Sequence, residues 1–392
     1  MRLSRADRSR VADWWFTVDH VLVGAIFALV GAGLILSLAA SPAVAIRKGL
    51  PTYYFVERHL FFSAVGVLIM LIVSLFSPRG VRRLGLGLFV VALLGMVAVH
   101  FIGPEVNGAK RWLSIAGHTI QPSEFAKPGF IIVSAWLFAE SGRRRDMPAL
   151  PFAIAVAACF TGLLISEPDV GQTLLVSAVW GTLYFLSGQA LLGAGIIAVC
   201  GAMGIAFAYS TFAHVRFRID KFFAPTPGDN SQLDRAIKSF SEGGFLGRGP
   251  GEGTIKTALP DAHTDFIFAV VAEEYGIIAC LVLLGLFAFV VMRALITAAQ
   301  EKDAATRLSI QGLALLFGLQ ALINMGVNVG LLPAKGITLP FVSSGGSSML
   351  AVSITLGMLL ALTRHRPSVA RLRKPPLLTD VAGLQATGPV HK

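Results

Sequence analysis

The stretch "LPDAHTDFIFAVVAEEYG", residues 259–276, runs from a polar, histidine-bearing segment straight into apolar sequence. The apolar run 266–292 is far longer than a barrel strand and long enough to cross a bilayer. Lipid offers the backbone no hydrogen-bond partners, so a run of this kind spans as a helix. The rest of the chain repeats the signal. Of its 392 residues 55% are hydrophobic and only 14% charged, with mean hydropathy +0.71, whereas soluble domains carry roughly 25% charged residues. Ten runs qualify: 19–40, 59–77, 84–103, 122–140, 150–166, 170–187, 190–211, 266–292, 308–332 and 341–363. The predicted fold is all-α: a polytopic membrane protein of ten transmembrane helices. Residues 1–18 form an N-terminal segment, 19–365 the membrane domain and 366–392 a polar tail expected to be disordered.

Lys and Arg set the expected orientation. Arg2, Arg5, Arg8 and Arg10, the groups Arg79–Arg82–Arg83 and Arg143–Arg144–Arg145, then Arg293, Lys302, Arg307, Arg364 and Arg366, all fall on one side of a ten-span chain. The other side holds Arg47, Lys48, Arg58, Lys110, Arg111 and Lys335 in its short loops. The positive-inside rule therefore places both termini in the cytoplasm and the long segment 212–264, between helices seven and eight, outside. The net charge of +11 is mostly this bias, and no nucleic-acid partner is needed to explain it. The first run is too long for a signal peptide and reads as an uncleaved span. The long outer segment is expected to be partly helical and interfacial, with "SQLDRAIKSFSEGG" as its amphipathic part. Cys159, Cys200 and Cys280 fall in spans without metal-ligand spacing and read as small buried hydrophobes.

Ionisable groups at spans are costly and so mark function by default. Four clusters face the outer side: "NGAKRWLSIAGHTIQPSEFAK" (107–127), "SEPDVGQT" (166–173), "LPDAHTDFIFAVVAEE" (259–274) and "LPAKGITLPFVSSGGSS" (332–348). If helix eight starts at the Asp265 junction, Glu273 lies about 80° round from Asp265 and Glu274 nearly opposite, about 12–14 Å deeper. Asp265 is then a carboxylate at a helix mouth, suited to a general base or to a helix cap. Glu273 and Glu274 read as interhelical anchors. Glu124 and Lys127 stand one turn apart and pair readily with each other. Lys110 and Arg111 are anion ligands or solvated loop charges. His263 orients a substrate or simply sits at the interface. Ser343, Gly345, Gly346 and Ser347 of "SSGGSS" serve close helix packing, or let backbone N–H groups approach phosphate.

These clusters, with "GGFLGRGPGEG" (243–253), resemble in order and spacing the SEDS family (shape, elongation, division and sporulation) of cell-wall polymerases. The resemblance runs from the first span to about residue 365. "AKG" (334–336) and the run from Gly228 to Lys256 look more like the division member, in its alphaproteobacterial form, than the elongation member. The resemblance implies a peptidoglycan glycosyltransferase that joins lipid II into glycan strands at the outer face of the cytoplasmic (inner) membrane, at the division septum. It maps the family's essential aspartate onto Asp265. It further implies lipid II and lipid-linked glycan as substrates, with a class B penicillin-binding transpeptidase and other divisome proteins as partners. Two positions depart from the family pattern: Glu167 where Gln is usual, and Ser344 where an aromatic is usual.

Such a reaction needs a base for the attacking hydroxyl and cations for the departing diphosphate. Asp265 is the candidate base. Candidate substrate ligands are Lys110, Arg111, Gln121, Ser123, Glu124, Lys127, Arg216, Arg218, Arg248, His263, Lys335, Ser343, Gly345, Gly346 and Ser347. No cofactor is called for, and a divalent cation on the diphosphate would be compatible with these residues. Two other classes fit the same sequence less well. A lipid II flippase needs polar groups at several depths, and a non-enzymatic divisome scaffold has no use for the outer carboxylate and cations.

Overall fold

The structure, a computed structural model, describes residues 9–106, 109–115, 117–144, 146–211, 213–223, 232–333 and 336–365. A short helix, α1 (Arg10–Thr17), precedes the apolar runs. Each predicted run then coincides with a helix: α2 (His20–Arg47), α3 (Tyr54–Ser74), α4 (Pro78–Ile102), α5 (Pro122–Arg143), α6 (Ala149–Ser166), α7 (Val170–Leu186) and α8 (Leu191–Thr211). Three short helices, α9 (Ala213–Phe223), α10 (Gln232–Gly243) and α11 (Ile255–Ala258), lie within the predicted outer segment. The last three apolar helices are α12 (Ile267–Gln300), α13 (Ala304–Asn328) and α14 (Gly346–Leu362). By length and composition, α2, α3, α4, α6, α8, α12 and α13 can each cross a membrane, and α7 and α14 are shorter apolar helices. α5 carries Glu124, Lys127, Glu140 and Arg143 among its apolar residues. Between α4 and α5 the chain forms two small hairpins, β1 (Glu105–Val106) with β2 (Ala109–Lys110) and β3 (Leu113–Ile115) with β4 (His118–Ile120).

Helix starts follow their capping residues. Asp19 accepts from Val21 and Leu22 N–H, each at 3.1 Å, and so starts α2. Ser77 followed by Pro78 starts α4, and Asp303 starts α13. Lipid gives helices no hydrophobic reason to associate, so they hold together by close fit. A methyl group on Gly129 of α5 would strike the Gly85 carbonyl and Phe89 of α4. α5, α13 and α14 form the centre of the bundle and are buried along most of their length. α8 is peripheral: it packs chiefly on α7 and α9, and Ala208 is its one buried residue. Cys159 and Cys200 depart from the expected burial. They are exposed on α6 and α8, which turn much of their surface outward, and only Cys280 is buried.

The largest departure is in α12. The helix begins after Asp265, with Phe266 at its N-cap, and it breaks at Gly276 (φ 78°, ψ 179°). Only glycine adopts this backbone without strain. The Gly-rich segment after α10 occupies the break. Arg248 and Gly249 N–H donate to the carbonyls of Glu273 and Glu274 at 2.9 and 3.0 Å. Ile277 and Ile278 N–H, the ordinary partners of those carbonyls, donate instead to Gly244 and Phe245 at 3.0 and 3.3 Å. The loop thus replaces two helical hydrogen bonds with four of its own, pairing the carbonyls and N–H groups that the break frees at 273–274 and 277–278.

The ends of the bundle differ. At the end away from Asp265, Arg293 pairs with Asp19 at 2.7 Å. At that end Arg364 bonds both Asp13 (2.5 Å) and Thr17 (2.8 Å), tying α1 to the end of α14.

Candidate functional site

Four segments converge at the Asp265 end: the start of α5, the α6–α7 turn, residues 259–266 and residues 336–346. The last two are stitched together by hydrogen bonds. Ser343 Oγ donates to the Thr264 carbonyl (2.6 Å) and accepts from Leu339 N–H (2.8 Å), while Ser344 N–H donates to the His263 carbonyl (2.9 Å). In the same turn Phe341 is held buried at φ 62°, a left-handed conformation that costs a non-glycine residue of order 1 kcal/mol or more.

α13 fixes Asp265 from below. Asn324 and Asn328 each donate a side-chain N–H to the Asp265 carbonyl at 2.9 Å. Asn328 Oδ1 also accepts the Ala269 N–H at 3.1 Å, so a residue of α13 satisfies the first turn of α12. Asn324 donates in addition to the Ile337 carbonyl at 2.7 Å. The half-buried Asp265 carboxylate lies against Gly336, where an added Cβ would stand 3.3 Å from Oδ2.

Gly336 also borders a cavity of about 500 Å³. Its polar edge is Arg111, Asp169 and Gly336, and its other walls are apolar side chains of α8, α9 and the segment after α13, among them Ile205, Ala208, Ile219, Phe222 and Leu331. A second, apolar cavity of about 580 Å³ shares the walls Val170, Leu174, Ile205 and Ala208 with the first.

Arg111 reaches the α6–α7 turn, where it donates to the carbonyls of Glu167 (2.9 Å) and Pro168 (2.5 Å). Asp169 accepts from Gln172 N–H at the start of α7 (3.2 Å) and from the Gln121 side chain (3.3 Å). Burial pushes the Asp169 carboxyl up, against the opposing pull of Arg111. Glu167 is 1% exposed, and neither of its oxygens has a hydrogen-bond partner among the described residues. Burial, then the Asp169 charge, pushes its carboxyl up to about 8 despite Arg111. At neutral pH it is mostly a neutral acid, close in size and polarity to the Gln usual at this position.

Below the turn, Lys127 pairs with Glu124 at 2.9 Å and donates to Gln172 (3.0 Å) and Gln320 (3.3 Å), and Gln172 donates to Glu124 (2.5 Å). The pair therefore extends into a buried network joining α5, α7 and α13. Ser123 is buried beside it, with no hydroxyl partner among the described residues.

The remaining candidates separate. Lys110 is exposed on β2. Arg216 turns back on α8, donating to the carbonyls of Tyr209 (3.3 Å) and Ser210 (2.6 Å). Arg248 pairs with Glu242 and donates to Thr254 (3.0 Å), and it does not line the cavity. Gly346 admits the Phe62 ring, Gly345 caps α14, and Ser347 is buried in its first turn. His263 is buried against Phe55, with ring centres 4.3 Å apart, and burial followed by the charges of Lys48, Arg47 and Arg58 lowers its pKa to about 4. Lys335 and the side chain of Arg218 lie outside the described residues.

Glu273 and Glu274 are not the interhelical anchors expected of them, because the broken helix turns them toward the loop. Glu273 accepts from Ile255 and Lys256 N–H at 2.7 and 3.0 Å, and Glu274 accepts from Gly251 N–H at 3.0 Å and pairs with buried Lys256. Since Asp265 lies ahead of α12, the expected 80° relation does not describe it. The sequence reading also passed over Asn324, Asn328, Gln320 and Arg47. The two Asn sit four residues apart in an apolar helix, a signal that the cost of polar groups in lipid makes readable. Among the described residues, no three His, Cys, Asp or Glu groups come together as a metal site.

A broken helix, a polar rim and an adjoining apolar hollow define a polytopic membrane protein with a site at one end of its bundle. A family model described as a cell cycle protein, covering FtsW, RodA and SpoVE, matches residues 20–368, and the chain belongs to that family. It is 44% identical over 368 residues, 93% of this chain and 94% of the relative, to a probable peptidoglycan glycosyltransferase FtsW of Caulobacter vibrioides. It is 35% identical to the protein of the same description from Trichlorobacter lovleyi, covering 88% of this chain and 93% of that one. Among solved structures it is similar to a chain of a peptidoglycan synthase complex that coordinates polymerisation and crosslinking (TM-score 0.73, 28% identity, covering 88% of this chain and 97% of that one). It is also similar to the rod shape determining protein RodA of Thermus thermophilus (TM-score 0.64, 25% identity, covering 90% and 99%).

Proposed function

We propose that this chain is a peptidoglycan glycosyltransferase of cell division that polymerises lipid II at the outer face of the cytoplasmic membrane, with Asp265 as general base. The observation that carries this reading is the placement of the Asp265 carboxylate against Gly336, at the edge of a cavity with Arg111 and Asp169 at its polar end and apolar side chains along its walls. A lipid-linked sugar diphosphate has the same two-part character. Arg111 stands where a diphosphate would lie, and the apolar walls suit a prenyl chain. Lys335, one residue from Gly336 in sequence, is the second cation in this reading.

In the reaction the acceptor 4-oxygen bonds to the donor's anomeric carbon. The bond from that carbon to the diphosphate oxygen breaks. The hydroxyl proton passes to Asp265, and the bonding electron pair leaves with the diphosphate, whose charge the cations stabilise. The Asn324–Asn328 clamp holds the base's backbone on α13, a rigid element. The ten helices that follow the predicted runs are read as ten spans with both termini in the cytoplasm. The partner is read as a class B penicillin-binding transpeptidase, and the site of action as the division septum.

The test is polymer formation from labelled lipid II by the purified chain with its transpeptidase partner. Glycan supports the reading. Movement of lipid II across a vesicle bilayer without glycan would make the chain a flippase instead. The topology has its own check. Cysteines at Ser241 and Asp146 should label from opposite sides of the membrane, and labelling from one side contradicts it.

A further inference from the structure

The α2–α3 hairpin places three cations, Arg47, Lys48 and Arg58, at the Asp265 end of the bundle. They run against the charge bias that otherwise organises the chain, which collects cations at the opposite end. Among the described residues none of the three has a carboxylate partner: the ion pairs present involve Lys127, Arg144, Arg248, Lys256, Arg293 and Arg364. Glu57, their nearest acid in sequence, is exposed and pairs with none of them.

The surroundings hold the cluster in place. The Lys48 ammonium stands 5.4 Å from the centre of the Phe55 ring, and the Arg58 guanidinium 5.7 Å from that of Phe62. Phe55 in turn packs on His263, two residues before Asp265. Arg47 donates to the carbonyls of Thr257 (3.1 Å), Leu259 (3.3 Å) and Pro260 (2.8 Å), fixing the segment that leads to Asp265. None of the three cations lines the Arg111 cavity.

We propose that Lys48 and Arg58, with Arg47 as a positioning residue, form a second site for a lipid-borne diphosphate, that of the acceptor. The proposal rests on the glycosyltransferase reading. A transfer between two lipid-linked sugars brings two diphosphates to one base, and like charges cannot share one set of cations without strong repulsion. The leaving diphosphate is bonded to the reacting carbon, so its cations belong beside the base, where Arg111 borders the cavity. The acceptor hydroxyl lies at the far end of its disaccharide from its own diphosphate, so that diphosphate's cations belong further off. Lys48 and Arg58 meet this requirement. Lys48 is joined to Asp265 through the Phe55 and His263 rings and two residues of chain, Arg58 stands one turn from Phe55 on α3, and both lie outside the cavity. An anionic phospholipid headgroup offers the same phosphate chemistry, and the experiment separates the two.

The test compares wild type with a Lys48→Gln/Arg58→Gln double variant, each full length with the transpeptidase partner in nanodiscs. Undecaprenyl diphosphate binding is titrated and lipid II polymerisation is followed, in zwitterionic discs and in discs containing phosphatidylglycerol. Wild type should bind two diphosphates per chain and the double variant one. KM for lipid II should rise about tenfold to a hundredfold, as expected for lost charge-assisted bonds, with the loss falling on KM more than kcat and independent of phosphatidylglycerol. A Lys48→Arg/Arg58→Lys variant should restore most of the binding and controls for folding. One diphosphate in both proteins overturns the proposal. So does a double variant that keeps two diphosphates but loses phosphatidylglycerol binding, which marks a phospholipid site. Two diphosphates in wild type and one in the variant, without glycan from either, would uphold the second diphosphate site and sink the glycosyltransferase reading alone.

Discussion

Asp265 and the Glu273–Glu274 pair lie on either side of the start of α12, within ten residues of each other, and their environments differ completely. Glu273 and Glu274 are fully buried and saturated by loop N–H groups and Lys256. Asp265 is half-buried, is held through its main-chain carbonyl, and turns its carboxylate to a cavity edge. A carboxylate saturated by fixed donors is structural. In the proposed reading, the carboxylate whose backbone is clamped by α13 and which lies against the cavity-lining Gly336 is the one that meets the substrate.

The contrast can be broken in several ways. The largest effect on stability should come from Lys256→Met, which leaves Glu274 charged and buried without its partner. Removal of one member of a buried pair costs about 3–5 kcal/mol. Thermal unfolding in detergent should show it as a large fall in Tm, while the protein that remains folded keeps its turnover per molecule. Arg111→Gln acts on the other side of the contrast. It should lower the polymerisation rate about tenfold to a hundredfold, as expected for a lost charge-assisted bond, with a smaller change in Tm. Lipid II turnover normalised to folded protein checks it.

Asn328→Leu joins the two sides, since Asn328 supports both the Asp265 carbonyl and the first turn of α12. It should cost about 1–3 kcal/mol in stability and reduce turnover as well, because it leaves buried groups unpaired. A variant that loses stability alone would show that the clamp does not position the base.

The smallest effect on activity belongs to Glu167, whose role is read in stability against pH. Its folded pKa is raised from 4.5 to about 8, so the folded state holds the proton more tightly than the unfolded chain. Its contribution to stability is therefore fully present below pH 4.5 and is lost as pH rises toward 8. Glu167→Gln should flatten that part of the Tm–pH profile and change activity little at neutral pH. An unchanged profile would show that Glu167 is not held neutral.

The helices were legible in the sequence because lipid imposes one rule on every span: apolar outside and hydrogen-bonded within. Arg111, Glu124, Lys127 and Asp265 were legible as site candidates because charge at a span is costly. The break at Gly276 was not, since a glycine in a helix declares neither its φ nor the loop that will fill the gap. Nor was the difference between Arg111 and Arg216. Both are cations near a helix end, and only tertiary placement gives one the α6–α7 turn at the cavity and the other the last carbonyls of the neighbouring helix α8. Arg47 pairs with carbonyls more than 200 positions away in the chain, a contact no local pattern announces.

The most direct test of Asp265 as base is single-turnover glycan formation from labelled lipid II by Asp265→Asn, measured beside Glu274→Gln and wild type, with each rate corrected for folded fraction. Asparagine keeps the size of aspartate but cannot take up the proton. The account predicts a loss of about 10²–10⁴-fold for Asp265→Asn with Tm close to wild type, and near-normal corrected turnover for Glu274→Gln. A wild-type rate in Asp265→Asn would contradict it.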